Sequence, residues 1–276
     1  VEVDIRRFFD ALEHSHLRDL LRQRVRDGVI LRLIGKWLNA GVLESGSVSY
    51  PTSGTPQGGV ISPLLANVYL HEVLDKWMTQ TVAPQLRGSV RVIRYADDFV
   101  LLFRDEKDAR AVFGALPRRF AEYGLELHPS KTKLLEFHQP PFGRKDRPKV
   151  SFDFLGFIHF WGRSQKGGWI VQRKTASDRM TRALDRIRTW CRAHMHDPLP
   201  VQHRQLSRKL RGHYGYYGIT GNSRSLAAYR QAVQHIWRKW LGRRCWKGRM
   251  YWGRFEHVLT RFPLPPPRIL HPHVPT

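Results

Sequence analysis

Three acidic side chains stand where strands are expected to end. Asp4 follows Val1 and Val3 in an alternating apolar segment, while Asp97 and Asp98 separate two β-rich runs, Val90 to Tyr95 and Phe99 to Phe103. A carboxylate flanked by buried hydrophobes is costly unless its charge is compensated, and adjacent carboxylates repel one another. A hard divalent cation, magnesium being the natural choice, is the usual means of holding such a set ionised in one place. Taken singly, each acid is explained at least as well as a turn or cap residue; only the set points to metal chemistry. A second candidate is the run GTPQGG at Gly54 to Gly59, followed by VISPLLANVYL. Glycines there let the backbone approach a ligand closely, and the Gln57 amide can both donate and accept hydrogen bonds. No GK[ST] follows, so this is not a Walker loop, and by itself a glycine turn before a helix fits the run equally well.

The elements that must position these residues can be read from periodicity. Val1 to Ile5 has strand character, and helical stretches follow around Leu12, Leu17, Leu20, Leu21 and Val25 and again from Ile30 to Leu38. Gly41 to Gly59 is loop-rich. Ser62, as N-cap, and Pro63, at the first helical position, open a helix with apolar positions Leu65, Val68, Tyr69, Val73, Leu74 and Trp77. Val90 to Tyr95 and Phe99 to Phe103 form a hairpin pattern with the acids at its tip. A helix from about Asp105 to Tyr123 and short strands near Leu125–Leu127, Lys133–Phe137 and Phe152–Phe160 complete an α+β layer. Pro140 to Pro148 is a turn, and Gly162 to Gly168 is the expected boundary, giving domains 1–161 and 162–276. Beyond it Met180, Ala183, Leu184, Ile187, Trp190 and Cys191 make a helical stripe, with further helices at about 203–217 and 224–241. The second domain is therefore expected to be all-α, ending in an extended, Pro-rich tail over Phe262–Thr276.

Composition limits what such a scaffold does. Lys and Arg total 47 against 23 Asp and Glu, for a formal net charge of +24. The excess is uneven: residues 1–160 carry 23 basic and 19 acidic side chains, residues 161–276 carry 24 and 4. A polyanionic partner gripped by the second part is the simplest explanation. There is no apolar run long enough to span a bilayer and no signal-peptide pattern. Cys191 and Cys245 are the only cysteines and form no CxxC pair, which argues against a zinc ribbon or a disulfide framework and suits a reducing cytoplasm. The chain opens at Val1 inside an apolar alternating segment, and so reads as a fragment lacking an N-terminal part.

Five ordered motifs resemble the palm of the reverse transcriptases: DIRRFFD at Asp4–Asp10, GTPQGGVISPLLANVYL at Gly54–Leu70, RYADDF at Arg94–Phe99, GLELHPSKT at Gly124–Thr132 and FLGF at Phe154–Phe157. LSRKLRGHYGYYGI at Leu206–Ile219 and RFPLPPPRI at Arg261–Ile269 resemble the thumb and maturase region of group II intron proteins. The resemblance implies a right-hand polymerase palm, an antiparallel sheet with packed helices, followed by a mostly α-helical thumb/maturase domain. It implies RNA-directed DNA polymerisation with two Mg²⁺ ions held by Asp4, Asp97 and Asp98 and by the Ile5 carbonyl. Phe9 matches a sugar gate selecting dNTPs, and Gln57 with Gly58 a contact to the incoming nucleotide. Lys131 matches a lysine that protonates pyrophosphate, and Phe154, Leu155 and Gly156 match the primer grip.

In the second domain Arg208, Lys209, Arg211, His213, Tyr214, Tyr216 and Tyr217 interleave cations with aromatics, a pattern suited to phosphates and unpaired bases of a folded RNA. Solvated cations beside core aromatics are the plainer alternative. The implied partners are group II intron RNA, a DNA primer or target and dNTPs, with no membrane, in a bacterial cytoplasm as a nucleoid-associated ribonucleoprotein. The family's fingers are missing from the residues present, and no HNH nuclease pattern is visible. A non-catalytic RNA-binding splicing factor, or a reverse transcriptase of a retron or diversity-generating element, are the rival readings.

Overall fold

The computed structural model describes residues 1–276 apart from 40–41, 45–46, 50–53, 55–60, 142, 144–145, 165, 245–249 and 273–276. Two compact units emerge, Val1–Glu136 and Phe137–Thr276.

In the first unit β1 (Glu2–Val3), β4 (Val90–Tyr95) and β5 (Asp98–Phe103) form an antiparallel sheet in the order β1-β5-β4. As the central strand, β5 buries three consecutive residues, Phe99, Val100 and Leu101, instead of alternating. The Phe99 ring stacks on Phe120 at 5.9 Å, and this pair joins Val3, Leu65, Tyr69 and Leu116 in one core. Fully burying a side chain of this size is worth about 1.5–3 kcal/mol.

The flanking helices are α1 (Phe8–Ala11), α2 (His14–Arg22), α3 (Gly28–Leu38), α4 (Ser62–Leu70) and α5 (Glu106–Ala121). Asp27 caps α3 by accepting from Val29 N and Ile30 N, and Asp105 caps α5 by accepting from Lys107 N and Asp108 N. Caps of this kind contribute about 1 kcal/mol each. Ser62 is not the cap that its type suggests: Ile61 holds that position and Ser62 is the first helical residue. Helix α4 continues through His71–Val82 with π spacing, closed by Ala83 N donating to Met78 O. The loop-rich interval contains a small hairpin, β2 (Val42–Glu44) with β3 (Ser47–Ser49). Gln57, Gly58 and Cys245 lie outside the described residues.

The expected strands near Leu125–Leu127 and Lys133–Phe137 shrink to single bridges, Ile5 to Leu127 and Glu2 to Lys133. With only two residues, β1 cannot sustain a longer ladder on its outer edge. The two bridges nevertheless bracket Asp4, and that is their importance for the site.

The second unit opens with β6 (Ser151–Phe154), β7 (Phe157–Arg163) and β8 (Trp169–Thr175), antiparallel in that order. Helices α6 (Ser177–Ala193), α7 (Leu199–Tyr217), α8 (Ser223–Leu241) and α9 (Trp252–Arg261) follow. The sequence boundary at 161/162 is corrected here, because it cuts β7. Gly162 to Gly168 leads into the β7–β8 turn, where Ser164 N donates to Gly168 O at 2.8 Å, rather than into an interdomain linker. The unit is thus not all-α. Its core gathers Ile187, Cys191, Leu206, Leu210, Leu226, Trp237 and Phe255. Helix α9 has no counterpart among the helices expected from the sequence. The Pro-rich tail is extended as expected, yet it packs: Leu264 is buried, and Leu270 N and His271 N both donate to Gly218 O. Among the described residues no helix is long and apolar enough to cross a membrane.

Candidate active site

The hairpin β4–β5 turns through Ala96 and Asp97, with Tyr95 paired to Asp98 at its neck. Ala96 sits at φ 54°, a left-handed conformation without glycine. Backbone of this kind costs on the order of 1–3 kcal/mol and persists only when neighbours over-determine it. Arg94 supplies that constraint. Its Nε and Nη2 donate to the two carboxylate oxygens of Asp75 at 3.0 and 2.7 Å, and its Nη1 donates to Asn67 Oδ1 at 2.8 Å and to the Ala96 carbonyl at 3.1 Å. One planar fork thereby ties the acidic turn to the α4 helix and its π-helical continuation.

Asp4 reaches the same sheet edge by register. The last registered pair is Val3 with Phe99; Asp4 directly follows the one and Asp98 directly precedes the other. The GLELHPSKT segment then wraps Asp4: His128 N donates to the Asp4 carbonyl at 2.8 Å, and Lys131 Nζ lies 3.0 Å from Asp4 Oδ2. Asp97 and Asp98 are half-buried. Carboxylate oxygens are the donors a hard cation takes, and the Lys131 ammonium beside Asp4 shows where positive charge is favoured. The donor set therefore fits a divalent cation in kind. Among the described residues no three His, Cys, Asp or Glu side chains are gathered tightly enough to hold an ion; the convergence is of backbone positions. Ile5 is buried at its bridge to Leu127.

Phe8 and Phe9 are separated by the structure. Phe8 is in the core, whereas Phe9 is half-buried and meets it edge-on at 5.3 Å. Gly54 docks beside Phe9. At φ +88° a side chain on it would come within 2.9 Å of the Phe9 carbonyl oxygen and 3.0 Å of Asp10 Cα. Gly54 N donates to Leu12 O at 2.7 Å, and the buried His14 closes the contact through Nε2, 2.5 Å from the Gly54 carbonyl. A carbonyl only accepts, so Nε2 carries the proton. The start of the glycine loop is in this way fixed to the turn bearing Phe9.

In the second unit Leu155 and Gly156 form the β6–β7 turn, at φ 50° and 75°. Two successive residues with positive φ match the strand twist, but leucine pays sterically for it. Tyr216 Oη donates to the Leu155 carbonyl at 2.9 Å, and Ala176 N donates to the Gly156 carbonyl at 2.9 Å. Phe154 lies half-buried at the end of β6. Among the described residues, the non-glycine positions with positive φ are Arg7, Ala96 and Leu155, each inside one of the motifs.

The basic helix α7 corrects part of the expected RNA surface. Leu206, Leu210 and Tyr214 fall four apart and form its core stripe, leaving Tyr214 2% exposed with its hydroxyl donating to Pro265 O at 3.2 Å. Burial pushes that hydroxyl up to about 12. No ring face is left for a base. Tyr217 is half-buried, its ring engaged by Phe157 at 5.3 Å and His213 at 4.6 Å. Arg208 and Arg211 are exposed, while Lys209 Nζ lies over the Trp190 ring at 5.6 Å. His14 carries no sequence signal of its own and Arg94 enters only as the first residue of RYADDF, whereas Tyr216 belongs to the aromatic cluster read as an RNA surface and instead serves the β6–β7 turn.

The family model described as reverse transcriptase (RNA-dependent DNA polymerase) matches residues 1–159. The group II intron-encoded protein LtrA of Lactococcus lactis subsp. cremoris is 49% identical over 80 residues, 29% of this chain and 13% of that protein. An uncharacterized 91 kDa protein in the cob intron of Schizosaccharomyces pombe is 44% identical over 78 residues, 28% of this chain and 10% of that protein. Protein YkfC of Escherichia coli K12 is 33% identical over 132 residues, 39% of this chain and 35% of that protein. The aligned stretches thus span well under two thirds of these relatives. With the match running over more than half its length, the chain belongs to the reverse transcriptase family, on the side of the group II intron reverse transcriptase/maturases.

Proposed function

We propose that this chain is the palm and thumb/maturase portion of an RNA-directed DNA polymerase of a group II intron, which extends a DNA primer on intron RNA and binds that RNA to assist splicing. What supports the reading is the register of Val3 with Phe99, which borders Asp4 on one strand and Asp98 on the other, with Lys131 at 3.0 Å from Asp4. Reverse transcriptases use divalent ions, and Asp4, Asp97 and Asp98 with the Ile5 carbonyl would hold two Mg²⁺. When bound, the ions would activate the primer 3′-hydroxyl and neutralise the leaving pyrophosphate.

The chain's own residues do the rest. Arg94 keeps the acidic turn from relaxing. Phe9, fixed beside Gly54, closes the space under the sugar and so favours a deoxyribonucleotide. Gln57 and Gly58 contact that nucleotide. Lys131 holds Asp4 until substrate arrives, then donates a proton to pyrophosphate. Phe154, Leu155 and Gly156 grip the primer strand. Exposed Arg208 and Arg211, in a region of net charge +20, neutralise phosphates of the intron RNA, joined by Lys209. A cytoplasmic ribonucleoprotein is the setting this chemistry implies.

Two measurements test the reading. Primer extension on an RNA template with Mg²⁺ and dNTPs is expected to fall by about two orders of magnitude or more in Asp97→Ala, since metal-held charge stabilisation is worth several kcal/mol. Mn²⁺ binding followed by electron paramagnetic resonance is expected to weaken in the same variant. Equal incorporation and equal Mn²⁺ binding by the two proteins would overturn the assignment.

A further inference from the structure

Helices α2 and α3 enclose a groove of about 660 Å³ whose walls carry Arg18, Arg22, Arg32 and Lys36. Arg18 and Arg22 are one turn apart on α2, and Arg32 and Lys36 are one turn apart on α3, so two rows of cations spaced by about 5–6 Å face each other. Leu21 and Ile34 form the floor. Neither helix contributes a carboxylate to the candidate active site.

The charge in this groove is not neutralised internally. Arg22 pairs with Asp19, but both side chains are two-thirds exposed, where such pairs are worth little. Asp27 is occupied in capping α3. Among the described residues Arg18, Arg32 and Lys36 have no acidic partner. The four cations thus leave the groove with a net positive charge that an external anion would neutralise.

Gly35 lies in the α3 wall of the groove, with Arg18 Nη2 3.8 Å from where a Cβ would lie, so the guanidinium reaches across to α3.

We propose that the α2–α3 groove is a binding site for the phosphate backbone of a nucleic-acid strand, lying on the catalytic unit and additional to the basic helical region. Rows of cations one helical turn apart suit successive phosphates, and the apolar floor accepts sugar edges. The proposal does not depend on polymerase activity.

Fluorescence anisotropy with a labelled RNA hairpin, the matching DNA hairpin and a Glu-rich peptide tests it, across a salt titration. The triple variant Arg18→Ala/Arg32→Ala/Lys36→Ala is expected to bind RNA at least about 10-fold more weakly at 0.1 M salt and to lower the log–log salt slope by about 2, since each lost phosphate contact removes roughly 0.7–0.9. Gly35→Glu, which favours the helix while placing a carboxylate beside Arg18, should weaken binding similarly. Arg104→Ala/Lys107→Ala/Arg118→Ala, with the same change in net charge on other exposed positions, should change affinity less than about two-fold, well short of the loss of even a few phosphate contacts. Crosslinking with 4-thiouridine RNA should map to the peptide spanning 14–39 in the wild type and not in the groove variants. Equal weakening by both triples would reduce the groove to bulk charge, and selective loss of the peptide ligand would assign it to a protein partner; either result overturns the proposal. If DNA and RNA lose affinity together, the site reads backbone alone, whereas loss confined to RNA assigns it to RNA.

Discussion

Arg94 and Asp75 meet as a bidentate pair at 3.0 and 2.7 Å, with the same guanidinium holding the Ala96 carbonyl at 3.1 Å. A lysine would keep the charge but has neither the planar fork nor the donor count to bridge both partners. Arg94→Lys is therefore expected to destabilise the first unit by about 1–3 kcal/mol, because the carboxylate and carbonyl lose partners in a partly buried place. Nucleotide addition should fall by roughly 10-fold or more as the acidic turn loosens, by analogy with misplaced catalytic groups. A double-mutant cycle with Asp75→Asn, read by urea denaturation, should give a coupling of about 1 kcal/mol or more. Strict additivity would show that the pair does not act as a unit.

Gly54 gives a sharper stability test. Alanine there would be forced into a left-handed backbone and against the Phe9 carbonyl and Asp10 Cα, so Gly54→Ala should cost about 2–4 kcal/mol. Gly114, inside α5 with nothing within 4 Å of where an added methyl would lie, should respond oppositely, gaining about 0.5–1 kcal/mol on substitution by alanine. Denaturation midpoints of the two variants should move in opposite directions. A shift in the same direction for both would refute the docking of Gly54.

Much of the first unit was legible because its signals are local. The β-rich runs Val90–Tyr95 and Phe99–Phe103 on either side of the acids predict the hairpin, and the helix expected from about Asp105 is found at Glu106–Ala121. The acids at the turn were legible as a set for the same reason. What was missed depends on partners distant in sequence. Nothing near Arg94 indicates that Asp75 and Asn67 will meet it, and nothing near His14 indicates a carbonyl at Gly54. The error on α7 is different in kind. The four-residue spacing of Leu206, Leu210 and Tyr214 marks a buried stripe, and the cations interleaved with the rings mask it. Likewise Trp169–Thr175 opens with an aromatic and two β-branched residues, as a strand can, but the glycines before it suggest a boundary.

Tyr216 presents the converse case, an aromatic in the basic cluster whose hydroxyl is committed inward. It donates to Leu155 at 2.9 Å while its ring stacks on Phe157 at 5.9 Å. Tyr216→Phe keeps the ring and removes only the donor, so the loss of stability should be about 0.5–1.5 kcal/mol. If the strained Leu155 turn is the primer grip, the same variant should lower processivity on a long RNA template while single-nucleotide addition changes little. Single-turnover and multiple-turnover extension separate the two. Identical effects on both would make Tyr216 a merely structural residue.

His213 carries the clearest pH dependence. Its ring stacks on Tyr229 at 3.7 Å, its Nε2 is buried without a partner, and only 9% of the residue is exposed. Burial pushes its pKa down to about 4 from an ordinary 6.5. A depressed histidine is neutral in the folded unit while the unfolded chain takes up a proton from about pH 6.5 downward. The unfolded state thus binds more protons in that window, and stability must fall as pH drops from 6.5 towards 4, levelling off below. The whole effect is bounded by about 3 kcal/mol, from 1.36 kcal/mol per unit. His213→Phe keeps a stacking ring and removes both the proton site and the unpaired nitrogen. Its stability at pH 7 should equal or exceed the wild type's, and hydrogen exchange of α7 and α8 amides, compared between pH 7 and pH 4.5, should show protection lost in the wild type and retained in the variant. Parallel loss in both proteins would place the acid sensitivity in other groups and remove His213 from the account.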